Sequence, residues 1–285
     1  MLGRRIVESL TLAAVLMLTT TGGSKAQEKK YPNWKGEWNA VVPRMPGQQL
    51  RFDPSKPFGK GQDAPLTEEY KKVYEDNLAE IAQGRQGLFL YHASCLPSGM
   101  PTMMSIGTFE YIITPETTYI VADTDLRRIF TDGRPWPADN QPTYQGFAIG
   151  KWSDEDGDGV YDVLEVDTHG PFKGPRTYDA SGLPLHFDNE STFHERFFID
   201  KSDPSILHNV ITVFDHALTR PWTADKTYRR RPRKYPNWDR VSCLEGNGYV
   251  TIGKEYYLVT SDGYLMPTTK GQLPPDPKYF PQVQK

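Results

Sequence analysis

The chain has 285 residues, with 36 Asp and Glu against 33 Lys and Arg, a formal net charge of −3 and six His. That mild acidity argues against a nucleic-acid partner, which needs a basic surface. Aromatic residues are abundant (16 Tyr, 13 Phe, 6 Trp), Gly and Pro number 24 each, and helical signals are few. Such a composition suits an antiparallel sheet or barrel with many turns, as one large β domain or two small ones.

In chain order, the first expected element is an export signal over residues 1–26. Arg4 and Arg5 form a basic start, "VESLTLAAVLMLTTT" an apolar core too short to span a bilayer, and Ser24 and Ala26 a small-residue cleavage site. Cleavage after Ala26 removes Arg4, Arg5, Lys25 and Glu8, a net +2, and leaves 259 residues at −5. No second long apolar run follows, so the expectation is a periplasmic or secreted protein without stable membrane insertion. Residues 27–88 read as a Pro- and Gly-rich arm followed by one amphipathic helix in "LTEEYKKVYEDNLAEIAQG". Thr67 is placed to cap it, Glu68 and Glu69 favour its start, and Gly84 can end it.

From residue 89 to 272 the pattern is β. Candidate strands are "FEYIIT", "TYIVAD", "RRIFT", "GFAIGKW", "YDVLEVDT", "TFHERFFI", "LHNVITVF", "KTYRR", "YVTIGKE" and "YYLVTS", punctuated by "TPET", "TDG" and "SDG". No helix–strand alternation appears, which excludes a doubly wound fold. The expected architecture is an antiparallel, barrel-like (lipocalin-like) domain with one N-terminal amphipathic helix, and residues 273–285 form a Pro-rich tail. Two cysteines, Cys95 and Cys243, lack metal-ligand spacing. In an oxidising compartment they make a disulfide candidate tying an early segment to a late one.

"DEDGDGVYDVLE", Asp154–Glu165, carries the densest acidic cluster. It fits an EF-hand loop formally, but strands rather than helices flank it. A strand–loop–strand calcium hairpin fits better, with Asp154, Asp156, Asp158 and Asp162 as carboxylate ligands and Val160 giving its carbonyl. Calcium takes six to eight hard oxygens, and carboxylates this crowded repel one another without a cation. The expected role is to brace a hairpin. The bland reading is a solvated acidic turn.

Three further runs carry candidate chemistry. In "RRIFTDGRPWP", Asp132-Gly133 signals a turn, and Arg134 and Trp136 alternate with prolines in a stiff loop. It either contacts a ligand or is simply a rigid turn whose Arg pairs with a carboxylate. In "LPLHFDNESTFHERFFI", a strand at Ser191–Ile199 sets Glu195 on one face with Phe193, Phe197 and Ile199. A carboxylate on an apolar face is either a general acid–base or half of an internal ion pair with an Arg. His186 and Asp188 precede that strand, where a cavity mouth would lie. In "VFDHALTRPW", His216 follows Asp215 and is free to pair with it or with Asp132, although a surface His is the commoner outcome. The basic run "RRRPRK" reads as a solvated edge. The resulting assignment is catalytic for Glu195, His186 and Asp132, and substrate-binding for Arg134, Trp136, Tyr144, His216 and Trp222.

The ordered motifs "CLPSGMPTMM", "RRIFTDGRPWP", "PTYQGFAIGKW", "VLEVDT", "HERF" and "LTRPWT", over about Cys95–Thr223, resemble those of a family of exported bacterial proteins whose members mostly carry no assigned function. The resemblance implies a secreted, mostly β, barrel-like protein. It also implies a short turn where this chain has Asp154–Asp162, so the acidic loop would elaborate a hairpin. It transfers no catalytic residue. Two functions follow as expectations. One is an exported acid–base enzyme (lyase, isomerase or hydrolase) acting on an apolar or aromatic small molecule in a barrel cavity. The alternative is a non-catalytic carrier of such a ligand.

Overall fold

The computed structural model describes residues 30–41, 64–82, 97–105, 108–122, 125–178, 185–232, 249–252, 254–259 and 264–276. The expected export signal, Gly84, Cys95 and Cys243 lie outside these residues.

Nine strands close into a barrel in chain order: β1 (Glu37–Ala40), β2 (Thr108–Ile113), β3 (Thr117–Val121), β4 (Leu126–Phe130), β5 (Phe147–Ser153), β6 (Val163–His169), β7 (Thr192–Ile199), β8 (Ile206–Phe214) and β9 (Trp222–Arg230). Closure comes from β9 pairing back onto β1, with Trp38 opposite Arg230. The strands alternate as a barrel requires. Along β7, Phe193, Glu195 and Phe197 are buried while His194 and Arg196 are half-buried. Along β6, Leu164, Val166 and Thr168 are buried while Glu165, Asp167 and His169 face solvent. Trp38, Phe109, Ile120, Ile129, Leu207 and Tyr228 complete the buried set, each 0% exposed. Burying one side chain of this size contributes about 1.5–3 kcal/mol.

Three features differ from the sequence reading. First, β1 comes from the stretch read as irregular arm, because four residues are too few to show a period. Second, β4 and β5 run parallel, through Ile129↔Ala148 and Phe130↔Ile149, within an otherwise antiparallel barrel. A parallel neighbour needs a long crossover, and residues 131–146, rich in Pro, provide it. Third, β10 (Tyr249–Ile252), β11 (Glu255–Val259) and β12 (Leu265–Pro267) form a three-stranded sheet of their own.

Among the described residues there is one α-helix, α1 (Glu68–Ala82). Thr67 Oγ1 accepts from Tyr70 N–H at 3.4 Å at its start. Thr67 N–H donates to the Ala217 carbonyl at 2.9 Å and Thr219 N–H to the Pro65 carbonyl at 2.8 Å. These bonds seat the start of α1 on the β8–β9 connection. No described helix is long and apolar enough to cross a membrane.

Gly146 opens β5 at φ +71°, and a Cβ there would strike the Phe172 ring and stand 2.6 Å from the His169 carbonyl oxygen. Both the backbone angle and the space therefore demand Gly. Gly146→Ala is expected to cost about 2 kcal/mol, measured as a lower midpoint in urea unfolding. An unchanged midpoint would contradict the packing described.

Candidate functional site

The barrel interior holds a charged pair. Arg127, from β4, reaches across to Glu195 on β7, and the two are 1% and 0% exposed. Arg127 Nη1 donates to Glu195 Oε1 at 3.1 Å, and Nη2 contacts Oε2. Nη2 also donates to Thr168 Oγ1 at 2.7 Å, and Asn209 Nδ2 to Glu195 Oε1 at 2.9 Å. Of the two readings of an inward Glu195, the structure shows an ion pair with an Arg. Arg127 Nε and Asn209 Oδ1 are left buried without hydrogen-bond partners.

A second polar cluster gathers where β7 begins and β8 ends. Asp215, just past β8, accepts from His186 Nε2 at 3.1 Å, from the Ala217 N–H at 2.7 Å, and from the Tyr178 and Ser191 hydroxyls. Burial works against its charge, but the bonds from His186, Ser191, Tyr178 and Ala217 hold its carboxyl well below the ordinary range. Burial, then the Asp215 charge, pushes the Tyr178 hydroxyl far up, so it stays a donor. The Nε2 edge of His186 therefore faces Asp215, and its Nδ1 faces the opposite side, toward Asp188.

The backbone of His186 is fixed by an isolated bridge to Arg176. Arg176 N–H donates to the His186 carbonyl at 2.7 Å, and the fully buried Arg176 guanidinium clamps the Met100 and Gly174 carbonyls, each at 2.7 Å. Outside His186 stand Asp188 and His216. Asp188 Oδ2 lies 3.2 Å from His186 Nδ1 and accepts from His216 Nε2 at 2.8 Å. Its Oδ1 accepts the Glu190 N–H at 3.1 Å. Burial opposes the charge of Asp188, yet the Glu190 N–H and His216 lower its carboxyl. Burial likewise opposes charge on His216, but the hydrogen bond and charge of Asp188 outweigh it and raise the imidazole. Tyr70 of α1 packs edge-on against both imidazoles, with ring centroids at 5.5 Å from His186 and 5.3 Å from His216.

The sequence-selected residues thus divide. His186 and His216 meet in one cluster, with ring centroids 4.8 Å apart. Trp222 lies one step away: with Tyr178, Pro101, Ser105, Ile211 and Lys226 it lines a cavity of about 10 Å³, room for one water. Glu195 sits four strand residues from Ser191, roughly 13 Å deeper in the barrel, and is not brought to His186. Asp132 is exposed and pairs with Arg134, whose Nε donates to Oδ1 at 2.9 Å; that hydrogen bond lowers the Asp132 carboxyl to about 2. Arg134 also covers the Phe130 ring at 3.9 Å, and Trp136 stacks on His169 at 4.2 Å. These contacts make 131–137 a self-paired turn. Tyr144 is half-buried, and its carbonyl accepts from Met100 N–H at 3.0 Å.

In the acidic hairpin, Asp154, Asp156 and Asp158 draw together, each offering a carboxylate oxygen within 4.8 Å of the others. Their oxygens also accept local N–H groups: Asp154 from Gly157 at 2.8 Å and Asp158 from Val160 at 2.8 Å. Asp162 accepts from Glu155 N–H at 2.8 Å.

Sequence reasoning missed Tyr178 and Ser191 as parts of the Asp215 cluster. Their link is spatial, since Asp215 lies 37 residues from one and 24 from the other. A second concavity, a cleft of about 490 Å³ beside β1 and β2, is lined by Tyr31, Trp34, Glu110, Tyr111, Ile112 and Ile113. Trp34 and Tyr111 are themselves core residues, and Trp34 Nε1 and the Tyr111 hydroxyl are buried without hydrogen-bond partners. No protein-family model matches the chain, and no curated protein matches it.

The interior pair predicts its own energetics. Glu195→Gln removes the charge facing a buried guanidinium and is expected to destabilise the fold by about 3 kcal/mol, while Arg127→Met with Glu195→Leu recovers most of that loss. Urea midpoints of the three proteins decide it; equal losses in the single and double variants would show that the pair does not carry the effect.

Proposed function

We propose that this chain is an exported small-molecule enzyme, lipocalin-like in use. It carries out acid–base chemistry of the lyase, isomerase or hydrolase type on an apolar or aromatic substrate at the His186 end of its barrel. The observation that carries this reading is the Asp215 carboxylate. It holds the Nε2 edge of His186 at 3.1 Å and leaves Nδ1, which makes no hydrogen bond, on the side of His216, Asp188 and the Tyr70 ring. An oriented imidazole beside an open carboxylate and an aromatic wall has the parts of a proton-transfer site. The proton-handling role falls to this cluster rather than to Glu195, which Arg127 already neutralises. Export rests on the basic and apolar pattern of residues 1–26.

A second reading is a non-catalytic carrier, supported by the cleft beside β1 and β2. Its volume suits a small ligand, and Tyr31, Ile112 and Ile113 give it an aromatic and apolar lining. The two readings separate in a screen of apolar and aromatic small molecules, followed by thermal shift and by consumption of the compound. For the enzyme, His186→Ala is expected to lower turnover at least 100-fold, while Ile112→Arg leaves it intact. Binding abolished by Ile112→Arg, with no compound consumed by the unaltered protein, would replace the enzyme with the carrier.

We also propose that calcium braces the hairpin through Asp154, Asp156, Asp158 and Asp162 with the Val160 carbonyl. The convergence of three of these carboxylates supports it. Calcium is then expected to raise the thermal midpoint and a calcium-selective chelator to lower it. Identical midpoints, with no calcium by elemental analysis, would remove the ion.

A further inference from the structure

The cluster outside Asp215 holds a feature that acid–base chemistry alone leaves unexplained. His186 is 7% exposed, and its Nδ1 makes no hydrogen bond. Its Nε2 edge is held 3.1 Å from Asp215 Oδ1, which turns Nδ1 to the opposite side. That nitrogen faces Asp188 Oδ2, 3.2 Å away, without the geometry of a hydrogen bond. A buried ring nitrogen set against a carboxylate in this way is a polar atom with an unmet bonding need, and the two atoms are spaced to share an ion.

We infer that His186 Nδ1, Asp188 Oδ2 and His216 Nε2 bind a divalent transition-metal ion, with zinc as the working probe. Each of the three residues offers a ligand atom within 4.8 Å of the other two. Asp188 Oδ2 stands 3.2 Å from one nitrogen and 2.8 Å from the other. Ligands sharing an ion at about 2.1 Å stand about 3.0–3.4 Å apart, so only small side-chain shifts are needed. The ion takes the place of the proton that His216 Nε2 otherwise shares with Asp188.

The surroundings fit as well. A metal-bound imidazole almost always donates its other N–H to a carboxylate or carbonyl, and Asp215 accepts that N–H here. Asp188 Oδ1 is occupied by the Glu190 N–H, which aims Oδ2 at the two rings. Two imidazoles and one carboxylate select a borderline transition metal over calcium or magnesium, which want oxygen ligands. Three protein ligands leave positions open, and the Asp188 and His216 side chains are 41% and 35% exposed, so water or a substrate oxygen reaches the ion. For its role in turnover this assignment rests on the enzyme reading: the water held by the ion becomes the proton-handling group. The binding of the ion does not depend on that reading.

The test uses tag-free protein titrated with Zn²⁺ by calorimetry, and with Co²⁺ by visible absorption. One equivalent is expected to bind, with intense visible bands of four- or five-coordinate cobalt, and a large excess of Ca²⁺ or Mg²⁺ is not expected to displace it. His216→Ala and Asp188→Asn alter exposed side chains, so folding is expected to hold, as checked by circular dichroism. Each is expected to weaken Zn²⁺ binding at least 100-fold. Asp215→Asn is expected to weaken it 10- to 100-fold, and His194→Ala on the outer barrel wall to leave it unchanged. Absence of binding, or binding indifferent to His216→Ala and Asp188→Asn, overturns the site. A compound consumed by ion-free protein sinks the metal's role while the enzyme reading stands. Tight Zn²⁺ binding with no compound consumed leaves the metal site and sinks the enzyme.

Discussion

Four donors converge on the carboxylate of Asp215, and the geometry of the barrel mouth follows from that convergence. A carboxylate withdrawn from water is costly unless its oxygens are satisfied. Here the His186 imidazole, two hydroxyls and a backbone N–H satisfy them. The donors come from separate parts of the chain: Tyr178 and His186 from the β6–β7 connection, Ser191 from the threshold of β7, and Ala217 from the turn after β8. One charge therefore ties the exit of β8 to the entry of β7 and sets the orientation of a buried imidazole whose other nitrogen makes no hydrogen bond.

The barrel supplies the rigidity on which this depends. Closure by β1 against β9 leaves no free edge in the nine strands. The Arg127–Glu195 pair then spans the interior between β4 and β7. An exposed ion pair contributes about 0–1 kcal/mol and is screened by salt. A buried, hydrogen-bonded pair is different: either partner alone costs several kcal/mol, so both stay in register or the strands do not close this way. The same reasoning places the Asp132–Arg134 contact, on an exposed loop, among the weak contributors.

Much of this was legible in the residues. Period-two alternation located β2 to β8 within a residue or two, and it put Glu195 on the inner face because Phe193 and Phe197 flank it at two-residue spacing. Its partner was not legible. Arg127 precedes Glu195 by 68 residues, and nothing local marks that pairing. Strand β1 escaped notice because its four residues draw their stability from β2 and β9 rather than from their own pattern. The parallel β4–β5 pair escaped because turn signals such as Asp132-Gly133 suggest a hairpin, whereas the chain runs on through 131–146 before pairing. His186, Asp188 and His216 were each recognisable as chemistry-bearing types. Their meeting depends on β7 and β8 being neighbours with Thr192 opposite Phe214, a register no short window contains.

Among the described residues, two places concentrate groups able to hold a cation, and they differ in kind. In the hairpin, carboxylate oxygens of Asp154, Asp158 and Asp162 already accept N–H groups of their own loop. Those bonds soften the mutual repulsion, so an ion arriving there only adds to a turn that the backbone has largely stabilised. At the barrel mouth no N–H plays that part for His186. Asp215 claims one nitrogen, and the other faces a carboxylate with nothing between them. The hairpin can exist as a hydrogen-bonded turn with or without calcium, whereas the buried Nδ1 of His186 has no hydrogen bond of its own. The difference in unmet bonding, more than the count of acidic residues, makes the mouth the more demanding of the two.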